Sequence, residues 1–66
     1  MEIKYPEINV QLTGKDGNAW AVMGAVTRAL TQAGISKEER NEFFKEAISG
    51  DYDHVLMTAM RWVNVE

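Results

Sequence analysis

The chain has 66 residues, no cysteine and a formal net charge of −3. A chain this short supports one domain, because it buries only about 60% of its unfolded surface and has no room for a second core. Without cysteine, neither disulfides nor a thiolate-bound metal can supplement that core. The net charge has the wrong sign for a protein that binds nucleic acid by neutralising phosphates, and it is too small for an acidic mimic of DNA.

The N-terminal residues, MEIKYPEINV, lack the long apolar core of a signal peptide. No apolar run in the sequence approaches the roughly 18 residues that a membrane span needs. We therefore expect a cytoplasmic protein that does not enter the membrane.

The first regular element is predicted to be a strand at 7–13, where apolar and polar side chains alternate. Its apolar face carries Ile8, Val10 and Leu12. Residues 1–6 are predicted to form a separate extended arm, because Pro6 has no N–H and pairing should begin after it. One strand leaves its backbone groups unpaired. The candidate partner within the chain is the tail, 63–66, and otherwise the strand pairs with another molecule.

Three helices are predicted to follow, at 18–33, 36–49 and 51–62, because apolar residues recur there at helical spacing. Gly34 stands where a helix C-terminus favours glycine, and Ser36 with Glu39 forms a capping box. The predicted buried stripes are Ala19, Val22, Met23, Val26, Ala29, Leu30 and Ala33; then Phe43, Phe44, Ala47 and Ile48; then Tyr52, Val55, Leu56, Ala59, Met60 and Val63. The prediction is a single α+β domain, 1–66, with one strand, three short helices and a candidate second strand in the tail.

The segment GKDGNA, between the strand and the first helix, is the place where a backbone anion site would lie, with Lys15 as a further positive charge. The glycine–lysine orders of the known phosphate loops are absent, and Asp16 would repel a phosphate. Gly14 and Gly17 more simply allow a tight turn, with Asp16 or Asn18 as the helix cap. We favour the turn.

Catalysis and metal binding find little support in the sequence. His54 is the only histidine, and Asp51 and Asp53 beside it do not converge with it on one helix face. The two serines, Ser36 and Ser49, lie near helix ends without a base and an orienting group in sequence. We expect no enzyme, no metal and no cofactor, and a structural role for His54.

The last two helices have the order of a DNA-binding helix-turn-helix, in which 51–62 would be the reading helix. That helix begins with acidic residues, and only His54 and Arg61 would favour DNA. Nucleic-acid binding is therefore unlikely on this pattern. The glutamates at every fourth position of the second helix, Glu38, Glu42 and Glu46, are interpreted as a solvated face.

The first helix offers the most informative surface, because Arg28 is its only charged residue between 18 and 33. Trp20 lies one turn from Gly24, so a large aromatic side chain stands beside a strip that another backbone can approach. We predict a homo-oligomer, most simply a two-fold dimer, with this helix and the strand at the interface. The alternative is that the arm carrying Ile3 and Tyr5 covers Trp20.

The segments KYPEINVQLTGKDGNA, ALTQAG, GDYDH and MRWVNV resemble small bacterial proteins encoded by phages, prophages and mobile elements. The resemblance covers nearly the whole chain and assigns no chemistry to particular residues. It implies a protein that acts in the bacterial host cell by binding, either to a host protein or to a nucleotide signal used in defence. Since the sequence also lacks a catalytic set, we expect a non-catalytic interaction protein that binds a host protein.

Two alternatives remain open at this stage. One is an oligomeric binder of a nucleotide or other anion. Its candidate residues are Lys15, Arg28, His54 and Arg61 for phosphate, with Trp20 or Trp62 for stacking. The other, weaker alternative is a DNA-binding regulator.

Overall fold

The computed structural model describes residues 2–12 and 18–66. Its elements, in chain order, are β1 (Tyr5–Val10), α1 (Ala19–Gln32), α2 (Lys37–Ala47), α3 (Tyr52–Trp62) and β2 (Val63–Val65). This order confirms the predicted α+β fold, and it shows that the tail forms a second strand. The two strands pair within the chain as a parallel sheet.

Each helix begins at a residue whose side chain caps the first turn. Asn18 Oδ1 accepts a hydrogen bond from Ala21 N at 3.1 Å, Ser36 Oγ from Glu39 N at 3.3 Å, and Asp51 Oδ1 from His54 N at 3.0 Å. These bonds satisfy N–H groups that have no acceptor within the helix. The caps fix where the chain turns between elements.

The end of α1 is set by Gly34, which has a φ of 81°. Gly34 N donates to Thr31 O, and Ile35 N donates to Leu30 O, both at 3.0 Å. This pair of bonds is the Schellman motif, which requires the left-handed backbone that glycine adopts without steric cost. The chain therefore reverses sharply into α2.

Pairing of β1 begins earlier than the sequence predicts. Lys4 N donates to Arg61 O at 2.9 Å, and Tyr5 is in register with Val63. The prediction of a separate arm at 1–6 is therefore wrong. An irregularity in the register between Tyr5 and Asn9 accommodates Pro6, so its missing N–H does not interrupt a regular ladder.

The core lies between the sheet and the three helices. The predicted strand at 7–13 ends earlier, at Val10, but its apolar residues Ile8, Val10 and Leu12 are all buried and belong to the core cluster. At the centre, Phe43 meets Trp62 edge-on, with ring centroids 5.5 Å apart. Such an aromatic pair adds about 0.5–1.5 kcal/mol to the stability that its buried area provides.

The buried stripes of all three helices differ from the prediction at their edges, and Ala33, at the end of α1, is exposed. Met60, Phe44 and Ile48 are exposed, at 57%, 37% and 47%. Thr58 is fully buried instead, and its hydroxyl donates to His54 O at 2.8 Å within α3. Because Thr58 can satisfy its hydroxyl on its own helix, a polar side chain occupies a core position without an unpaired donor.

Candidate functional site

The largest exposed aromatic side chain of the described chain is Trp20, in the first turn of α1, which is 68% exposed. Its ring lies beside Phe44 of α2, with centroids 5.9 Å apart and planes inclined by 37°. Ile48 follows Phe44 by one helical turn and is also exposed. We call these three residues, Trp20, Phe44 and Ile48, the Trp20 patch.

The N-terminal segment does not cover the Trp20 patch. Tyr5 packs against Trp62 instead, with ring centroids 6.0 Å apart, and Ile3 lines a cleft beside Met57 and Met60. The alternative in which an arm folds over Trp20 is therefore wrong. The physical reason is the pairing of residues 4 and 5 with the end of α3 and with β2, which holds this segment beside Arg61 and Trp62.

The remaining predicted residues of α1, Gly24 and Arg28, are both exposed. A Cβ added at Gly24 would meet no atom within 4 Å, so the helix surface there is open. At the far end of the same flank, Arg40 Nη1 donates to Thr31 Oγ1 at 2.7 Å. The flank of α1 that faces α2 thus carries an aromatic contact at one end and a polar contact at the other.

The side chain of His54 contacts the C-terminal end of α2. Its Nε2 lies 2.8 Å from the carbonyl oxygen of Glu46 and 3.0 Å from Ser49 Oγ, which itself donates to that carbonyl at 2.7 Å. A carbonyl only accepts, so Nε2 must carry a proton to bond to it. Ser49 keeps its own proton on the same acceptor, so this serine–histidine pair has no base positioned to activate the hydroxyl.

The contact between His54 and Ser49 escaped the sequence analysis, which considered only the neighbouring aspartates. Asp51 bonds to the backbone of His54 rather than to its ring. The side chain of Asp53 is exposed. Gly50 makes the arrangement possible, because a Cβ there would lie 2.8 Å from His54 Cβ and Cγ. The geometry supports the structural role that the sequence favours for His54.

A second feature without a sequence signal involves Lys4. Its Nζ lies 2.9 Å from Glu39 Oε1 and 4.2 Å from the centre of the Trp62 ring. The hydrogen bond to Glu39 raises the pKa of Lys4 above its usual value, although burial opposes the shift. For Tyr5, in contrast, burial raises the pKa, and the charge of Glu39 raises it further. Trp62 is only 5% exposed under this cation, so it is a core residue and not a free stacking surface.

Two adjoining clefts lie between residues 2–4 and the helices. The first, of about 340 Å³, is lined by Glu2, Ile3, Met57, Met60 and Arg61. The second, of about 350 Å³, is lined by Glu2, Lys4, Glu42, Glu46, Arg61 and Trp62. Three carboxylates line the second cleft, which disfavours an anion. Arg61 lies in both clefts, but Trp20, Arg28 and His54 line neither of them.

Of the described residues that an anion or nucleotide site was predicted to use, the structure brings together only Arg61 and Trp62, in the second cleft, and places Trp20, Arg28 and His54 elsewhere. Lys15 and the rest of the GKDG segment fall outside the described residues, although Asn18 is the helix cap, as the turn interpretation allows. In α3, which is described throughout, Asp53, Met57, Met60 and Arg61 are exposed. One cation beside an aspartate and two methionines is a poor surface for reading DNA.

Residues 2–12 and 18–66 contain no group of three or more acidic or histidine side chains that could hold a metal ion. None of the helices in these ranges combines the length and the apolar character that a membrane crossing requires. Comparison of the chain with protein-family models, with curated proteins and with solved structures found no match.

Proposed function

We propose that this chain is a non-catalytic interaction protein of a phage or mobile element, and that it binds a bacterial host protein through the Trp20 patch. The observation that carries the proposal is the exposed pair of Trp20 and Phe44. Aromatic side chains that stand together in solvent cost free energy in the unbound state and dominate the energy of many interfaces. The resemblance of the sequence to phage and prophage proteins supplies the host context.

The patch has the composition of an interface centre. Trp20 and Phe44 provide large, rigid contact area with little side-chain entropy to lose, and Ile48 extends the apolar surface along α2. Asn41 and Lys45, exposed on α2, belong to the polar surroundings of these residues. A partner with a complementary apolar pocket would therefore bury the aromatic pair and leave a polar rim.

The test is affinity capture from bacterial lysate with three immobilised proteins: the unchanged chain, Trp20→Ala, and the double variant Met57→Ala/Met60→Ala. The last removes the other exposed apolar pair and is the matched control. We expect one host protein, captured in stoichiometric amount, by the unchanged chain and the control but not by Trp20→Ala. If every captured protein is retained by Trp20→Ala, the proposed surface is wrong.

A measurement on the same protein tests the alternative function, which is the binding of a nucleotide or other anion. Mass spectrometry of the denatured protein would detect a nucleotide that copurifies with it. Since Trp62 is buried beneath Lys4 and His54 is bonded to the end of α2, no observation favours this function over host-protein binding. Retention of a nucleotide by the purified chain would reverse that preference.

We further propose that the functional unit is a homodimer. A chain below about 70 residues rarely builds a sufficient core by itself, and this one has no disulfide. A two-fold dimer would carry two copies of the Trp20 patch, which raises the apparent affinity for a partner with repeated sites. The expected mass in solution is that of two chains, measured by sedimentation equilibrium.

A further inference from the structure

The outer edge of β1 has no partner strand in the described chain, because the sheet consists of β1 and β2 alone. Val10 O accepts from Glu66 N at 2.8 Å, and Leu12 N donates to Glu66 O at 3.1 Å. Backbone direction alternates along a strand, so the N–H and C=O groups of Asn9 and Gln11 point away from β2. These groups form an open edge beside the buried face of the sheet.

From Asn9 to Leu12, this edge lacks the charged side chains, prolines and bulges by which sheets avoid pairing with other molecules. Asn9 and Gln11 are uncharged, and no lysine lies between residues 5 and 12. Pro6 and the register irregularity lie in the N-terminal half of the strand, before Asn9. The C-terminal half is regular, and a sheet of two strands is marginally stable unless it gains more strands or packing. The regular half is therefore open to strand addition.

We propose that a second copy of this chain occupies the edge, so that β1 pairs antiparallel with β1 of the second copy about a two-fold axis at Val10. This inference rests on the proposed homodimer and adds its interface. A two-fold axis relates a strand to itself in the antiparallel direction and closes the assembly, whereas a head-to-tail contact would continue into a filament. The product is a four-stranded sheet with the order β2–β1–β1–β2.

The register is self-complementary. Asn9 lies opposite Gln11 of the second copy, and both of their outward backbone groups are satisfied, which gives four hydrogen bonds across the axis. On the buried face, Val10 meets its own equivalent, and Ile8 meets Leu12 of the second copy. All three side chains belong to the core cluster, so the two cores become continuous under one sheet.

The packing of α1 on the sheet is compatible with this arrangement. Trp20 and Thr31 contact α2, which fixes one flank of α1. The opposite flank carries Ala21, Ala25 and Ala29 at every fourth position, all partly buried. Because α1 packs against β1, this alanine flank would face α1 of the second copy, with Gln32 at the C-terminal end of the flank. The Trp20 patch remains outside the interface.

The first experiment uses one preparation of the protein without an affinity tag. Sedimentation equilibrium measures its mass, and NMR measures the exchange of its backbone amides. We expect a dimer in which exchange of the Asn9 and Gln11 amides slows as protein concentration rises, at least tenfold, since these amides point away from β2, the strand that pairs with β1 in the described part of the chain. A monomer up to about millimolar concentration overturns this inference and the proposed homodimer together. A dimer whose Asn9 and Gln11 amides exchange freely overturns only the interface proposed in this subsection.

The second experiment tests the register with charge. The variants Asn9→Lys/Gln11→Lys and Asn9→Glu/Gln11→Glu each place like charges opposite each other, so each should be monomeric by itself while circular dichroism shows an intact fold. Mixed in equal amounts, they should form a heterodimer, because every facing pair is then opposite in charge. The matched control is Trp20→Ala, which should remain a dimer.

Three outcomes would overturn the register: homodimers of either charged variant at the original affinity, a mixture that stays monomeric, or dissociation by Trp20→Ala. Host binding is read separately in the capture experiment. If Trp20→Ala remains a dimer but no longer captures the host protein, the result supports the proposed host binding and does not test the pairing of β1 with β1. Protection of Asn9 and Gln11 in a dimer that captures no host protein supports β1 pairing and contradicts the function.

Discussion

Glycine-to-alanine changes at two positions should have opposite effects on stability. At Gly50, the new methyl group would lie 2.8 Å from His54 Cβ and Cγ, a separation that real Cβ atoms do not tolerate. Moving the imidazole would relieve the contact with Cγ but not the contact with Cβ, so the connection between α2 and α3 must also shift. Overpacking of this kind costs about 1–3 kcal/mol, and displacing the ring also weakens a hydrogen bond worth roughly 0.5–1.5 kcal/mol.

The Gly50 change also brings a gain of about 0.4–1 kcal/mol, because alanine lowers the entropy of the unfolded chain. The net loss in the free energy of unfolding is therefore about 1–3 kcal/mol, or roughly 5–20 °C in Tm for a domain of this size. At Gly24 the added methyl meets nothing within 4 Å, and the residue lies inside α1. Gly24→Ala should therefore stabilise by about 0.5–1 kcal/mol through helix propensity alone.

Thermal and urea denaturation at one fixed protein concentration, followed by circular dichroism, measure both changes. A third variant, Gly50→Ala/His54→Gly, compared with His54→Gly alone, separates the clash from any backbone effect, because the change at Gly50 should cost almost nothing once both the Cβ and the ring of residue 54 are absent. The reasoning fails if Gly50→Ala is as stable as the unchanged chain, or if its cost persists in the absence of His54. It fails equally if Gly24→Ala lowers stability.

Three further predictions concern other parts of the molecule. The raised pKa values of Lys4 and Tyr5 mean that the folded chain holds these protons more tightly, so their stabilisation is complete below the usual values of 10.5 and 10.0 and is lost as pH rises through the higher folded values. Urea denaturation between about pH 8 and pH 12 should show this decline, and Glu39→Gln should make it shallower. Trp62→Ala should cost about 3–5 kcal/mol because it removes the ring between Phe43 and Lys4, and a fold that melts normally would contradict the core assignment. Ala25→Glu should dissociate the dimer in sedimentation equilibrium, whereas Glu42→Ala on α2 should leave its mass unchanged.

Local sequence signals predicted the order of the elements and the ends of the helices. Asn18, Ser36 and Asp51 are the helix caps, and Gly34 is the left-handed residue after α1, because these roles depend on a few neighbouring residues. The alternation along β1 likewise predicted its buried face. Periodicity could not predict that Pro6 would lie inside a paired strand, since the irregular register that admits it depends on where α3 ends.

Contacts between distant residues could not be predicted from the pattern. Met60 is apolar at helical spacing, yet it is exposed while Thr58 is buried, because the rotation of α3 is set by packing against α1 and α2. Lys4, Glu39 and Trp62 come from three different elements, and no local rule relates them. For the candidate site, the sequence identified Trp20, but its neighbours Phe44 and Ile48 were assigned to the core.

The sheet is the element whose stability depends most on contacts between distant residues. The bonds from Lys4 to Arg61 and from Leu12 to Glu66 join opposite ends of the chain, whereas the helices form within short segments. Closing a loop of about 50 residues costs roughly 3.5 kcal/mol of chain entropy, in addition to a constant that does not depend on loop length. The pairing of β2 offsets this cost with only a few hydrogen bonds. A second copy on the outer edge of β1 pairs only with a strand that is already extended. In the proposed dimer, dimer formation and sheet formation would therefore favour each other, and we expect the stability of the sheet to rise with protein concentration.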